Sequence, residues 1–171
     1  VITYVIDASV AVKWVIEEVF RLEAKRFLHP CVFCIAPDLI EYECISAFQQ
    51  KVARNEISEQ AAWQCYTTLF HEMPLQLEDS TTLTYHAFQL ANRINHAVYD
   101  CYYLALAEQE KAFLVTADRK FYERVMGSPY AHRIRWVEEP PAVARDPETE
   151  GRASSPANTD RDVRDSESKS V

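Results

Sequence analysis

The chain opens on a short apolar run, Ile2-Thr3-Tyr4-Val5-Ile6, which predicts a buried strand. Residues 9–28 switch to helical patterning, expected as two helices divided near Glu17 and Glu18. CVFCIA, residues 31–36, predicts a second short buried strand. Pro37 and Asp38 then open a helix to about Arg54, with Pro in the first turn, where its missing N–H leaves no bond unmade. Ser58, followed by Gln60 and Ala61, starts a helix to about Glu72. MPLQLE, residues 73–78, is a third candidate strand, and Asp79 or Ser80 caps a helix to about Ile94. Residues 98–110 are helical, AFLVT at 112–116 is a fourth strand, 118–125 a short helix, and IRWV at 134–137 a last strand.

Strands that alternate with helices, several of them continuous apolar runs, are the signature of a parallel sheet covered on both faces. The fold class expected is therefore α/β: one domain over residues 1–137, a central, mainly parallel sheet of four to five short strands flanked by helices. From Glu138 the composition changes to Pro, Ser, Asp, Glu and Arg, with nine acids against five bases over 138–171. Such a segment buries too little apolar surface to offset its ordering entropy, and disorder is expected there.

Composition removes several function classes. Two glycines in 171 residues, and no GxGxxG or GxxxxGK, exclude the usual phosphate-cradling loops. A net charge of −8 argues against a passive nucleic-acid coat, though not against an enzyme that meets nucleic acid through a bound metal. No stretch of 18 apolar residues predicts a membrane span, and the first residues read as a strand rather than a signal peptide. Five cysteines, Cys31, Cys34, Cys44, Cys65 and Cys101, fit reduced, buried thiols in a cytoplasm.

Four acids stand in apolar company. Asp7 directly follows the first strand and Asp118 follows the fourth, so both emerge at the carboxyl rim of the sheet, where open parallel sheets collect ligands. Each also precedes a helix, where a carboxylate serves as an N-cap. Glu43 lies in APDLIEYECISAF, whose apolar face is Ile40, Cys44, Ala47 and Phe48. At 100° per residue Glu43 falls roughly 60° from the centre of that face and Glu41 roughly 100°, so Glu43 points inward, with no base beside it on the helix. Asp100, in AVYDCYYLALAE, is surrounded by apolar and aromatic residues near a helix start and calls for a cap or a cationic partner. Carboxylates gathered together raise one another's pKa and demand counter-charge. No Lys or Arg sits in those apolar segments, and a hard divalent cation with oxygen ligands, Mg²⁺ or Mn²⁺, supplies it.

The stretches VIDASVAVKW (5–14), APDLIEYECISAF (36–48), YDCYYLALAE (99–108) and LVTADRKF (114–121) together resemble the PIN domain, and within it the VapC-type toxin ribonucleases of toxin–antitoxin pairs. The resemblance implies a metal-dependent endoribonuclease acting on tRNA or rRNA, often dimeric and paired with a cognate antitoxin. Carried over by position, Asp7, Glu43, Asp100 and Asp118 form the acidic quartet. Asp7, Asp100 and Asp118 would hold one Mg²⁺ or Mn²⁺, with Glu43 a ligand or water-positioning base, and Ser9 and Thr116 would orient carboxylates or water. Lys120 stands where some relatives carry a further acid. Lys13, Arg119 and Lys120 flank the acid-bearing segments and are candidates for substrate phosphates, or else plain solvated charges.

Other features weigh less. Cys31 and Cys34 form a C-x-x-C without a second close pair, so a zinc site is not expected and buried thiols are. Trp63, Tyr66 and Phe70 have helical spacing and suit core or a dimer interface. His71, His86, His96 and His132 are scattered without ligand spacing. A haloacid-dehalogenase-type phosphatase would carry a second Asp where Ser9 stands. A receiver domain would pair acids after the first strand, where Asp7 is alone. The remaining alternatives are a stand-alone RNA-processing PIN nuclease and an inactive PIN-like interaction module.

Overall fold

A computed structural model describes residues 1–142. Five strands, β1 (Ile2–Ile6), β2 (Val32–Pro37), β3 (Leu75–Glu78), β4 (Phe113–Thr116) and β5 (Ile134–Trp136), form one sheet in the order β3-β2-β1-β4-β5 with every pairing parallel. Seven helices flank it: α1 (Ala8–Val15), α2 (Arg21–Lys25), α3 (Ile40–Ala53), α4 (Glu59–His71), α5 (Thr84–Ile94), α6 (Val98–Gln109) and α7 (Arg119–Met126). The expected α/β architecture stands, with all five strands parallel.

Strand β1 is central because it is apolar on both faces: Tyr4, Val5 and Ile6 are all buried. Strand β3 lies at an edge and is half-exposed, which explains its mixed sequence, Leu-Gln-Leu-Glu. The segment 9–28 divides as expected: α1 stops at Val15, and Phe20, at φ 67°, turns the chain into α2. Helix α6 is buried over most of its circumference, from Cys101 through Ala107, and packs against β1, β2 and β4. This accounts for its nearly uninterrupted apolar sequence.

Three local expectations need correction. Pro37 does not open α3: it ends β2, paired with Glu78, and α3 begins at Ile40. Cys31 is exposed, because it precedes β2 rather than lying in it, whereas Cys34 is buried with its thiol 3.2 Å from the Phe27 carbonyl. Trp63 is not core: it is 62% exposed and stacks on Tyr66 at 5.1 Å. Packed contacts run past residue 137. Trp136 Nε1 donates to Glu138 at 2.7 Å, and the Ala142 N–H donates to the Tyr4 hydroxyl at 2.9 Å. The rest of the expected acidic tail, residues 143–171, lies outside the described residues.

Candidate active site

The strand order reverses between β1 and β4: the chain builds β1, β2 and β3 to one side, then returns to place β4 and β5 on the other. Such a switch point leaves a crevice at the carboxyl ends of the two central strands. Register pairs Ile6 with Val115, so the residues that follow, Asp7 and Thr116, emerge side by side. The Asp7 N–H still joins the sheet, donating to the Val115 carbonyl at 3.1 Å.

Asp7 occupies the N-cap position of α1, yet its side chain makes no cap hydrogen bond. Its Oδ2 instead accepts from the Ser9 hydroxyl at 2.7 Å and from the Thr116 hydroxyl at 2.5 Å. Ser9 Oγ in turn accepts from the Ala117 N–H at 2.9 Å, and Thr116 Oγ1 from the Asp118 N–H at 3.0 Å. The two hydroxyls thus stitch the end of β4 to the end of β1 through one carboxylate oxygen. Burial pushes the Asp7 carboxyl from its ordinary 3.8 up to about 6 against the pull of both hydroxyls, and the nearby Asp100 charge adds to the rise.

Glu43 projects from the first turn of α3 and accepts a hydrogen bond from the buried Tyr103 hydroxyl of α6. Its partner is therefore a phenol on another helix. Burial pushes Glu43 up to about 7; Tyr103 opposes the rise, while the Asp7 and Asp100 charges add to it. Glu41 turns the other way, accepting from Tyr66 of α4 at 2.9 Å, as the helical wheel indicates. Asp100 sits in the first turn of α6, and the partner it calls for is His96, whose Nε2 lies 2.7 Å from Asp100 Oδ2. Burial raises the Asp100 pKa, His96 holds it down, and the Asp118 charge adds to the rise. Asp118 does cap its helix, Oδ1 accepting from the Lys120 and Phe121 N–H groups at 2.8 and 3.1 Å.

The four acids therefore form one electrostatic group, with Asp7 coupled to Asp100 and Glu43, and Asp100 coupled to Asp118. Each uses a single oxygen for the partners just named, and no side-chain donor among the described residues reaches the second oxygen of any of them. Neighbouring carboxylates with a free oxygen each are the donor chemistry a hard divalent ion takes. In their present rotamers, among the described residues, no three His, Cys, Asp or Glu side chains converge closely enough to enclose an ion. The set fits Mg²⁺ or Mn²⁺ by chemistry and by place at the sheet rim.

Sequence reasoning misses Tyr103 and His96. His96 and Asp100 stand four apart, the spacing of neighbours on a helical path, and that signal is present in the sequence. Nothing local marks Tyr103, whose partner is 60 residues away. Among the candidate phosphate ligands, Lys13 is already engaged, 2.9 Å from Glu18. Arg119 lies over the Trp136 ring, 4.0 Å from its centroid, and Lys120 faces a cleft beside α7.

A sequence model of the PIN domain matches residues 4–125, most of the chain, and the chain belongs to the PIN-domain family. PIN domains are typically nucleases and generally use divalent metal ions. The crystal structure of PAE2754 from Pyrobaculum aerophilum shares the fold, with a TM-score of 0.58 at 18% identity over 80% of this chain and 85% of that one. No curated protein matches the sequence significantly. Among the described residues, no helix is long and apolar enough to cross a membrane.

Proposed function

We propose that this PIN domain is a Mg²⁺- or Mn²⁺-dependent endoribonuclease, the cytoplasmic toxin of a VapBC-type pair that cuts tRNA or rRNA, works as a homodimer and is restrained by a cognate antitoxin. The observation that carries the reading is the coupled group Asp7, Glu43 and Asp100 at the β1–β4 switch point, with two carboxyl pKa values lifted to about 6 and about 7. Buried carboxyls that push one another's pKa values up call for positive charge, and a hard divalent ion with oxygen ligands supplies it.

In this reading Asp7, Asp100 and Asp118 hold the ion and Glu43 is a further ligand or the base that positions water. The ion, when bound, supplies a Lewis acid for the phosphodiester and its attacking water. Ser9 and Thr116 hold the Asp7 carboxylate in one rotamer through Oδ2, leaving Oδ1 for the ion. Tyr103 holds Glu43 through Oε2 in the same way. His96 stands beside Asp100 and offsets part of its repulsion from Asp118.

The test is cleavage of a mixed tRNA and rRNA pool by purified protein with Mg²⁺ or Mn²⁺, with EDTA, and with Asp7→Asn beside it. Metal-dependent cutting that disappears in the variant supports the reading. A small DNA-binding antitoxin encoded next to the gene supports the toxin role, and its absence favours a stand-alone RNA-processing nuclease. A protein that neither cuts RNA nor binds divalent ions is an inactive PIN-like module.

A further inference from the structure

The cations on the two sides of the acid group differ in what they already hold. On the α1–α3 side, Lys13 and Lys51 share Glu18, Lys51 also lies 3.0 Å from Glu56, and Arg54 lies 3.2 Å from the same Glu56. Lys13, Lys51 and Arg54, with Glu18, line a pocket of about 220 Å³ that reaches Ser9. Their charge is largely answered on the protein itself.

On the α5–α7 side the balance is opposite. Arg93, Lys120 and Arg124 line a cleft of about 660 Å³ with His96 and one acid, Glu123. Among the described residues none of the three makes an ion pair, and Arg93 touches only the neutral Tyr130 hydroxyl, at 2.9 Å. In a chain of net charge −8, a concave surface with three unanswered cations is a local reversal of sign, and a concave wall focuses its field. The cleft is also joined to the acid group. Asn95, at φ 50°, ends α5 in the left-handed conformation and delivers His96 into the cleft wall. The His96 ring stacks on Phe121 of α7 at 5.0 Å, and its Nε2 lies 2.7 Å from Asp100. One side chain therefore borders both the cleft and the acids. No Phe, Tyr or Trp lines the cleft, and the one aromatic ring that does, His96, is already stacked on Phe121. It would hold charge and backbone shape rather than read sequence.

We propose that this cleft is the track for the substrate strand, with Arg93 and Arg124, alongside Lys120, contacting the phosphates of RNA that flanks the bond at the acid group. The inference rests on the nuclease reading above and adds to it a direction: the strand leaves the acids past His96 toward α7, not past Ser9 toward Lys13. These residues set affinity for the strand and stand apart from the bond-breaking groups, so they raise KM when removed and leave kcat in place.

The experiment combines Arg93→Gln with Arg124→Gln, both exposed, and measures anisotropy of a labelled single-stranded RNA in EDTA as salt is raised. As a charge-matched control, Lys25→Gln with Lys111→Gln removes two exposed cations that do not line the cleft, one at the end of α2 and one in the turn before β4. Each lost phosphate contact lowers the log–log salt slope by about 0.7, so the cleft variant loses about 1.4 and its binding falls about sevenfold less than wild type across a fourfold rise in salt. The control keeps the wild-type slope. With metal present, the cleft variant cuts with raised KM and a kcat within about twofold of wild type. Arg124→Glu alone gives the same change in KM and confirms that a folded single variant behaves alike. Wild-type protein that cuts RNA while the cleft variant keeps its slope and KM overturns the cleft and leaves the nuclease reading standing. An equal loss in the control overturns it too, since long-range charge would then suffice. Wild-type protein that neither binds nor cuts RNA overturns both.

Discussion

Asp7→Asn separates what the acid does for function from what it does to stability. The wild-type carboxyl is 7% exposed, and burial lifts its pKa from 3.8 to about 6. A carboxyl with a raised folded pKa holds its proton more tightly folded than unfolded. Its ionisation therefore weakens the fold progressively as pH rises from 3.8 to about 6, and the full cost is present above that window. A rise of roughly two units corresponds to about 3 kcal/mol. Asparagine keeps an oxygen to accept from Ser9 and Thr116 and removes the charge, but it brings an amide whose imperfect pairing costs about 1 kcal/mol. In EDTA at pH 7.5 the variant should therefore be more stable by about 2 kcal/mol, an increase in Tm of about 4–8 °C for a domain of this size. At pH 4, where wild-type Asp7 is already protonated in the fold, the gain should vanish and the amide cost remain. Urea or thermal melts at the two pH values read this directly. Adding Mg²⁺ should stabilise wild type at pH 7.5 and leave the variant nearly unchanged, because a ligand stabilises only the state it binds. A variant that is less stable than wild type at both pH values, or equally shifted at both, would refute the buried-charge account.

Three other substitutions probe the surrounding bonds. Thr116→Val removes the donor to Asp7 and the acceptor for the Asp118 N–H, and should cost about 1–3 kcal/mol in urea denaturation; an unchanged midpoint would deny the β1–β4 stitch its role. Tyr103→Phe removes the one hydroxyl that holds the Glu43 pKa down, so Glu43 should rise above about 7 and the acidic limb of the nuclease pH–rate profile should move up with it. A limb that stays in place would show that Glu43 does not control it. His96→Asn removes the contact that holds the Asp100 pKa down, and should weaken Mn²⁺ binding increasingly as pH is lowered in a calorimetric titration; a loss independent of pH would point to lost packing on Phe121 instead.

Much of this molecule is legible in local pattern. The division of residues 9–28, the inward turn of Glu43 rather than Glu41, and the parallel sheet all follow from spacings of two to four residues. Those spacings are set by the helix and strand repeats themselves. The same locality explains the errors. Cys31 is apolar by neighbourhood but lies one residue ahead of its strand, and Trp63 has core spacing but sits on the exposed side of α4. Periodicity says which residues share a face and not what covers it.

The four acids and their order along the chain stand out in the sequence by itself, because an ionisable group in an apolar run is conspicuous wherever the run folds. Their partners do not. Asp7 meets Thr116 only because β1 and β4 are neighbours at the switch point, and Glu43 meets Tyr103 only because the fold brings the first turn of α3 to a residue of α6 that is 60 positions away. The same holds for the cations. Lys13 looks available beside an acid-bearing segment, but the fold commits it to Glu18, while Arg93 and Arg124, far apart in sequence and attached to no motif, are left together in one cleft. Hydrogen-bond partners and counter-ions are decided by contacts across tens of residues. Those contacts depend on strand order and helix placement, which the packing of the whole core selects and no short window of sequence contains.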